Sequence, residues 1–240
     1  MSLQMMVLSG LIGYLIGAIS FARIVSHLVA PSREVPDVTE LTLEGSDKMF
    51  RLETISASSV SVQHGSKFGF LTYVLDTIKV VIPVLAIRLL FPEMHYFVIT
   101  AAAAVISHIW PVYYRFKGGR GLSAIYGTML VIDWIGMFVA SIGGMCISLF
   151  VLRSVLWAYL SGPLLLIPWL WFRTHSVAFL AFAIIANIAF TIAMLPEIKQ
   201  WQKIKREDKW DDYTEVVQLS GMGRGIIKMA RKVGVLKPKS

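Results

Sequence analysis

Cysteine is nearly absent from this chain: Cys146 stands alone among 240 residues, inside an apolar run. One thiol closes no intrachain disulfide and builds no cysteine metal cluster, so neither a disulfide framework nor redox chemistry is expected. Charge is scarce too. Asp, Glu, Lys and Arg make up 16% of the residues against 56% hydrophobic ones, and the mean hydropathy is +0.66. That is more apolar surface than one soluble core of ordinary composition can hide, so lipid is the expected solvent for most of the chain. Strand-like alternation, internal repeats and low-complexity segments are missing as well. With only helices and closed barrels able to satisfy the backbone in a bilayer, an all-α polytopic membrane protein follows.

Six apolar runs are long enough to cross about 30 Å of hydrocarbon. They are Met5 to Leu28, Phe68 to Phe91, Phe97 to Tyr114, Ile135 to Leu152, Val155 to Phe172 and Val177 to Leu195. Leu122 to Asp133 is shorter and counts as a tilted or re-entrant seventh, giving a bundle of about seven helices. No charged n-region or small-residue cleavage signal marks the first run, which therefore reads as a retained span. The expected division is an integral membrane domain over 1–198 and a basic tail over 199–240.

Lys and Arg collect in loops retained in the cytoplasm. With the N-terminus outside, the inner side receives Arg33, Lys48, Arg51 and Lys67, then Arg115, Lys117 and Arg120, then Arg153, and last the tail. The outer side keeps little beyond Arg88 and Arg173, so an N-out, C-in orientation is expected. Nearly half of the cations behind the net charge of +8 lie in the tail. Beside an inner leaflet they suit anionic membrane lipid rather than nucleic acid. Within the tail, residues 226–233 mix apolar and basic residues at helical spacing, as an interfacial helix would. A solvated basic tail fits equally well.

Between about residues 31 and 67 lies the longest polar insertion, read as a cytosolic loop. Residues 48–52 alternate as a short strand does. Residues 55–62 form a run rich in Ser that either donates hydrogen bonds to a ligand or serves as a packed linker. Asp76 and Lys79 fall three apart on one face of the second span, where ionisable groups usually turn toward the protein interior. Their pairing is as consistent with orienting a helix as with a site. His108 has no second His or carboxylate at metal spacing, so no metal is expected, and no residue is fixed as catalytic. Its nearness to two loop cations makes it the candidate.

Those cations belong to Phe116-Lys117-Gly118-Gly119-Arg120-Gly121, between the third apolar run and Leu122. Positive-inside bias explains two cations in an inner loop but not the glycines. Lys117, Gly118, Gly119, Arg120 and Gly121 combine a point charge, a forked guanidinium and bare backbone, a combination suited to phosphate. The Walker pattern of nucleotide sites is absent.

Residues 108–121 closely resemble the second motif of the bacterial acyl-phosphate:glycerol-3-phosphate acyltransferases, the PlsY family, approximately G-H-x-x-P-V-x-x-x-F-K-G-G-K-G. Residues 14–22 resemble that family's Y-L-x-G-S-I-P-F-G. Gly65 to Gly69, with Asp76, Lys79 and Pro83, resembles its G-K-x-x-G…L-D-x-x-K-x-x-x-P run. The other two motifs depart. S-G-N-x-G-A-T-N falls on residues 52–59, putting Leu52, Thr54 and Ser59 at its Ser and two Asn positions, and a following Arg becomes Val62. H-R-x-N-I-x-R falls on residues 194–200, with Met194 and Glu197 for its His and Asn.

The resemblance implies transfer of a fatty acyl group from acyl phosphate to glycerol 3-phosphate, giving lysophosphatidic acid. This would occur at the cytosolic face of a bacterial inner (plasma) membrane, with no cofactor and no metal. The loop would bind substrate phosphate, with His108, Asp76, Lys79 and Ser123 in support. Arg51, Lys67 and Lys48 are candidates to replace the lost cation, and Ser56, Ser58, Ser59 and Ser61 to replace lost donors. The rival reading is a catalytically degenerate relative that binds a phospholipid or phosphorylated metabolite. A small transporter is disfavoured because no matching pair of interrupted spans is visible.

Overall fold

The computed structural model describes residues 1–31, 38–42, 49–152, 155–208, 221–232 and 234. Arg33, Lys48, Arg153 and much of the basic tail fall outside them. The described residues are mainly helical, with one two-stranded hairpin. Leu3–Gly17 (α1) and Phe21–Val29 (α2) are followed by β1 (Thr39–Thr42) and β2 (Met49–Leu52). Then come α3 (Ala57–His64), α4 (Ser66–Leu90), α5 (Tyr96–Ile109) and α6 (Leu122–Ile132). The apolar segment Trp134–Leu152 (α7) includes π-helical turns at Val139–Gly143 and Ile147–Leu152. Finally, α8 spans Val155–Thr174, α9 Val177–Asp208 and α10 Gly221–Lys232.

Among the described residues, five segments are long and apolar enough to cross a bilayer: Leu3–Val29, Ser66–Leu90, Tyr96–Tyr114, Trp134–Leu152 and Val177–Gln200. The short Leu122–Ile132 and the 20-residue Val155–Thr174 are helical where the remaining two of the seven spans are expected. Large apolar side chains such as Ile82, Leu89, Ile142 and Phe172 are exposed, while Asp76, Lys79, Thr100, Ser107 and Asn187 are buried. Apolar residues outside and polar ones within suit a bundle that meets lipid.

The first span is not one helix. It breaks after Gly17, and Ser20 restarts it by accepting a hydrogen bond from the Arg23 amide at 3.4 Å. The break leaves the Ile19 carbonyl open to Lys79 Nζ, which donates to it. On α1, Ser9, Gly13 and Gly17 recur every fourth residue and face α5. A Cβ at Gly13 would meet the Thr100 carbonyl at 2.3 Å, and one at Gly17 the Ala104 carbonyl at 2.7 Å. This small-residue stripe lets the two backbones touch, as close packing in membranes requires.

In the hairpin, Thr39 pairs with Leu52 and Glu40 with Arg51. Gln63 Nε2 on α3 donates to Thr39 Oγ1 at 2.7 Å, and the Arg51 amide donates to Gln200 Oε1 on α9 at 3.0 Å. The strand expected over 48–52 is thus β2, and the hairpin is held to α3 through β1 and to α9 through β2. The division expected near residue 198 falls inside α9, which continues to Asp208. In the tail, α10 buries Ile227 and Ala230 against the bundle and packs on α4 and α8, leaving Lys228, Met229 and Lys232 exposed.

At the other end of the bundle, Asp133 Oδ1 caps α7 by accepting from the Ile135 amide at 3.1 Å. Its Oδ2 accepts from Trp169 Nε1 at 2.9 Å and from Arg173 Nε at 3.2 Å. Arg88 donates to the nearby Val131 carbonyl. Both cations assigned to the outer side therefore serve one structural corner.

Candidate active site

The loop joining α5 to α6 is fixed by its own backbone. Phe116 donates to the Pro111 carbonyl and Lys117 to the Tyr114 carbonyl, each at 3.0 Å, while Arg115 and Phe116 hold positive φ angles of 52° and 61°. Gly118 passes so close to α5 that a Cβ there would lie 2.3 Å from the His108 carbonyl and 2.7 Å from that of Ile109. A Cβ on Gly119 would lie 2.5 Å from His108 Nε2. Gly121 ends the loop at φ 95°, a left-handed conformation that glycine adopts without cost, and α6 begins there.

Two backbone groups of the loop are engaged within the protein. The Gly119 amide donates to the His108 carbonyl at 3.0 Å, and the Gly118 carbonyl accepts from the Ile55 amide at 3.0 Å. The Gly119 N–H is thus taken up by α5, and close approach to His108 requires glycine at this position. The second link ties the loop to the segment that leads into α3.

Arg120 reaches across to α9. Its Nε donates to Glu197 Oε1 at 3.0 Å, and its Nη2 lies 3.0 Å from Oε2. Thr54 Oγ1 donates to the same Oε1 at 3.2 Å. Glu197 is 1% exposed. Its burial is tolerable because the charge is matched in place, whereas an isolated carboxylate there would be strongly disfavoured. Glu197 and Thr54 are the residues that sequence reasoning missed as site members. Both occupy Asn positions of the degenerate motifs, and Arg120 stands where the resembled pattern has Lys, so the departures coincide in space.

Lys117 is exposed, and its carbonyl accepts from Arg23 Nη2 at 3.5 Å. Arg23 in turn stacks over the Tyr114 ring, 5.0 Å from its centroid. Arg23 is another neighbour the sequence did not single out. Asp76 and Lys79 pair at 2.6 Å, both buried, and His108 Nδ1 lies 3.8 Å from Asp76 Oδ1. His108 Nδ1 has no hydrogen-bond partner among the described residues. The three thus form a buried cluster directly behind Gly119.

In front of the loop lies a cavity of about 290 Å³. Phe70, Tyr73, Leu122 and Phe190 give it an apolar wall, while Arg120, His108, Ser66 and Ser123 contribute polar groups. Ser56, the N-cap of α3, and Ser58 and Ser61 within it also line the cavity. Ser59 does not line it: its hydroxyl donates to the Ser56 carbonyl and accepts from the Ser56 amide. Of the proposed substitute cations, Arg51 pairs with Glu40 at 3.0 Å on the exposed hairpin. Lys67 is exposed and does not line the cavity, and Lys48 lies outside the described residues.

Cavity, loop and buried polar cluster occupy one end of a helical bundle, and the family profile described as glycerol-3-phosphate acyltransferase matches residues 7–207. The chain belongs to the glycerol-3-phosphate acyltransferase family. It is 32% identical over 151 residues to a glycerol-3-phosphate acyltransferase of Legionella pneumophila (strain Corby), covering 63% of this chain and 48% of that protein. For the glycerol-3-phosphate acyltransferase of Pseudothermotoga lettingae the identity is 33% over 126 residues, 52% of this chain and 56% of the relative. With that of Coxiella burnetii (strain Dugway 5J108-111) it is 31% over 152 residues, 62% and 71% respectively. The matched stretch thus spans about half the length of the first of these glycerol-3-phosphate acyltransferases. Among solved structures, PlsY (YgiH), an integral membrane glycerol 3-phosphate acyltransferase, superposes with TM-score 0.69 in its glycerol 3-phosphate form. That match is 21% identical and covers 83% of this chain and 93% of PlsY. The lysophosphatidic acid form gives TM-score 0.67 at 22% identity. These two likenesses establish a shared fold.

Proposed function

We propose that the protein transfers a fatty acyl group from acyl phosphate to glycerol 3-phosphate, forming lysophosphatidic acid in phospholipid synthesis. The observation that carries the reading is the cavity: an apolar trough, suited to part of an acyl chain, ends at Arg120, His108 and the glycine-packed loop. The acceptor hydroxyl oxygen bonds to the acyl carbonyl carbon, the carbon–oxygen bond to phosphate breaks, and inorganic phosphate leaves. Lys117 and Arg120 bind phosphate and offset charge that builds up in the transition state. His108, the imidazole lining the cavity, is the candidate for the transferred proton. Asp76 and Lys79 hold it in place, and Ser123 supplies a hydroxyl at the start of α6. By the cation distribution, the site faces the cytosol of a bacterial cell across the inner membrane, N-out and C-in. The exposed lysines of α10 favour anionic lipid at that surface. No cofactor enters this scheme.

Purified protein in liposomes, supplied with acyl phosphate and labelled glycerol 3-phosphate, is expected to form labelled lysophosphatidic acid. Lys117→Ala is expected to abolish it without loss of folded protein. One observation favours a second reading. Glu197 already neutralises Arg120, as fits a degenerate relative that binds a phospholipid or phosphorylated metabolite without turnover. Phosphate binding with no labelled product would select that reading over the enzyme.

A further inference from the structure

Glu197 takes the Nε and Nη2 edge of the Arg120 guanidinium, a fork of N–H groups that two oxygens of a phosphate fit equally well. Carboxylate and phosphate cannot share it. A phosphate monoester added beside an intact pair would bring a second negative group against a carboxylate that is 1% exposed, where like charges repel strongly.

The pair is also incompletely made. Nε to Oε1 is a hydrogen bond, but Oε2 is buried with no hydrogen-bond partner among the described residues, held by charge alone to Nη2. Glu197 also sits directly after Pro196, inside α9. Proline has no N–H, so the carbonyl of Ile192 one turn earlier has no helical donor, and the helix is locally weakened beside this residue.

We propose that Glu197 is an internal competitor for phosphate at Arg120: a phosphate monoester takes over the guanidinium as the carboxylate gives it up, and Glu197 thereby sets the site's affinity. This rests on the reading of Arg120 as a phosphate-binding residue. The phosphate belongs either to a soluble metabolite or to a lipid headgroup, which share that chemistry.

The test is binding to the full chain in nanodiscs of neutral lipid, measured by calorimetry with glycerol 3-phosphate and inorganic phosphate. A parallel arm measures binding of lysophosphatidic acid incorporated in the disc. Glu197→Gln keeps the shape and an acceptor oxygen but removes the charge, and is expected to tighten binding about tenfold or more. Thr54→Val, which removes only the second donor to Oε1, is expected to tighten it by about threefold and covers the case of a Glu197 variant that fails to fold. Tightening in either arm supports the proposal, and the arm that responds identifies the source of the phosphate. Unchanged or weaker binding in both arms overturns it. Turnover plays no part in the readout, so failure to form lysophosphatidic acid would remove the enzyme reading and leave this result interpretable.

Discussion

Arg120 lines the cavity between two walls of contacts that stand outside the cavity's lining and are built by opposite means. On the loop wall, Gly118 and Gly119 press backbone against the His108 turn of α5, and position is set by contacts too close for any side chain. On the facing wall, Thr54 and Glu197 from distant segments meet Arg120 through long polar side chains. The first wall fixes where a ligand's charge would lie. The second, under the proposal above, would set how much positive charge is available to it. Of these two walls only the first closely resembles a family motif, so shape is retained where backbone sets it and charge has changed where side chains set it.

The largest effect is expected from separating the pair that joins the walls. Arg120→Ala leaves Glu197 buried and unpaired, which should cost about 3–5 kcal/mol, read as a lower melting temperature in detergent. Replacing both by Leu should cost far less, because no orphan charge remains. If the single and double variants melt alike, the pair is not the joint between the walls. Next come the glycines. Gly118→Ala forces a methyl against two carbonyl oxygens, with an expected cost of about 1–3 kcal/mol and loss of acyl transfer. Gly119→Ala meets the end of an imidazole ring, which can turn aside, so its effect on stability should be smaller while His108 is displaced. An equal loss of stability for both would contradict a wall set by backbone at Gly118 and by side chain at Gly119.

How far the sequence reveals this site follows the same division. The apolar runs and the Lys-Gly-Gly-Arg-Gly loop are continuous in sequence, and both bundle and loop lie where they are expected. The break at residues 18–20 is hidden because hydropathy does not register an N-cap such as Ser20 or the need of Lys79 for the Ile19 carbonyl. Arg120 and Glu197 lie 77 residues apart. Each taken alone is a departure from a pattern, an Arg for a Lys and a Glu for an Asn. Only together do they read as a neutralising pair, which is the signal that could have found Glu197. The serine run is ambiguous for a related reason: Ser56, Ser58 and Ser61 line the cavity, whereas Ser59 turns back to its own N-cap.

Two smaller perturbations test how far the facing wall extends into the hairpin. Gln200→Ala removes the acceptor of the Arg51 amide, and about 1 kcal/mol of local stability should go with it, seen as faster hydrogen exchange at that amide.

Arg51→Ala should do least. Its guanidinium pairs with Glu40 at 3.0 Å, but the two side chains are 57% and 46% exposed, and an ion pair that wet contributes about 1 kcal/mol or less. Acyl transfer and phosphate binding should stay at wild-type levels, since the side chain points along the hairpin and does not line the cavity. Loss of either with the melting temperature unchanged would mean that Arg51 leaves Glu40 for the ligand and restores the positive charge that Glu197 removes. The facing wall would then supply a cation as well as a carboxylate, and the contrast between the walls would be one of mobility rather than of charge.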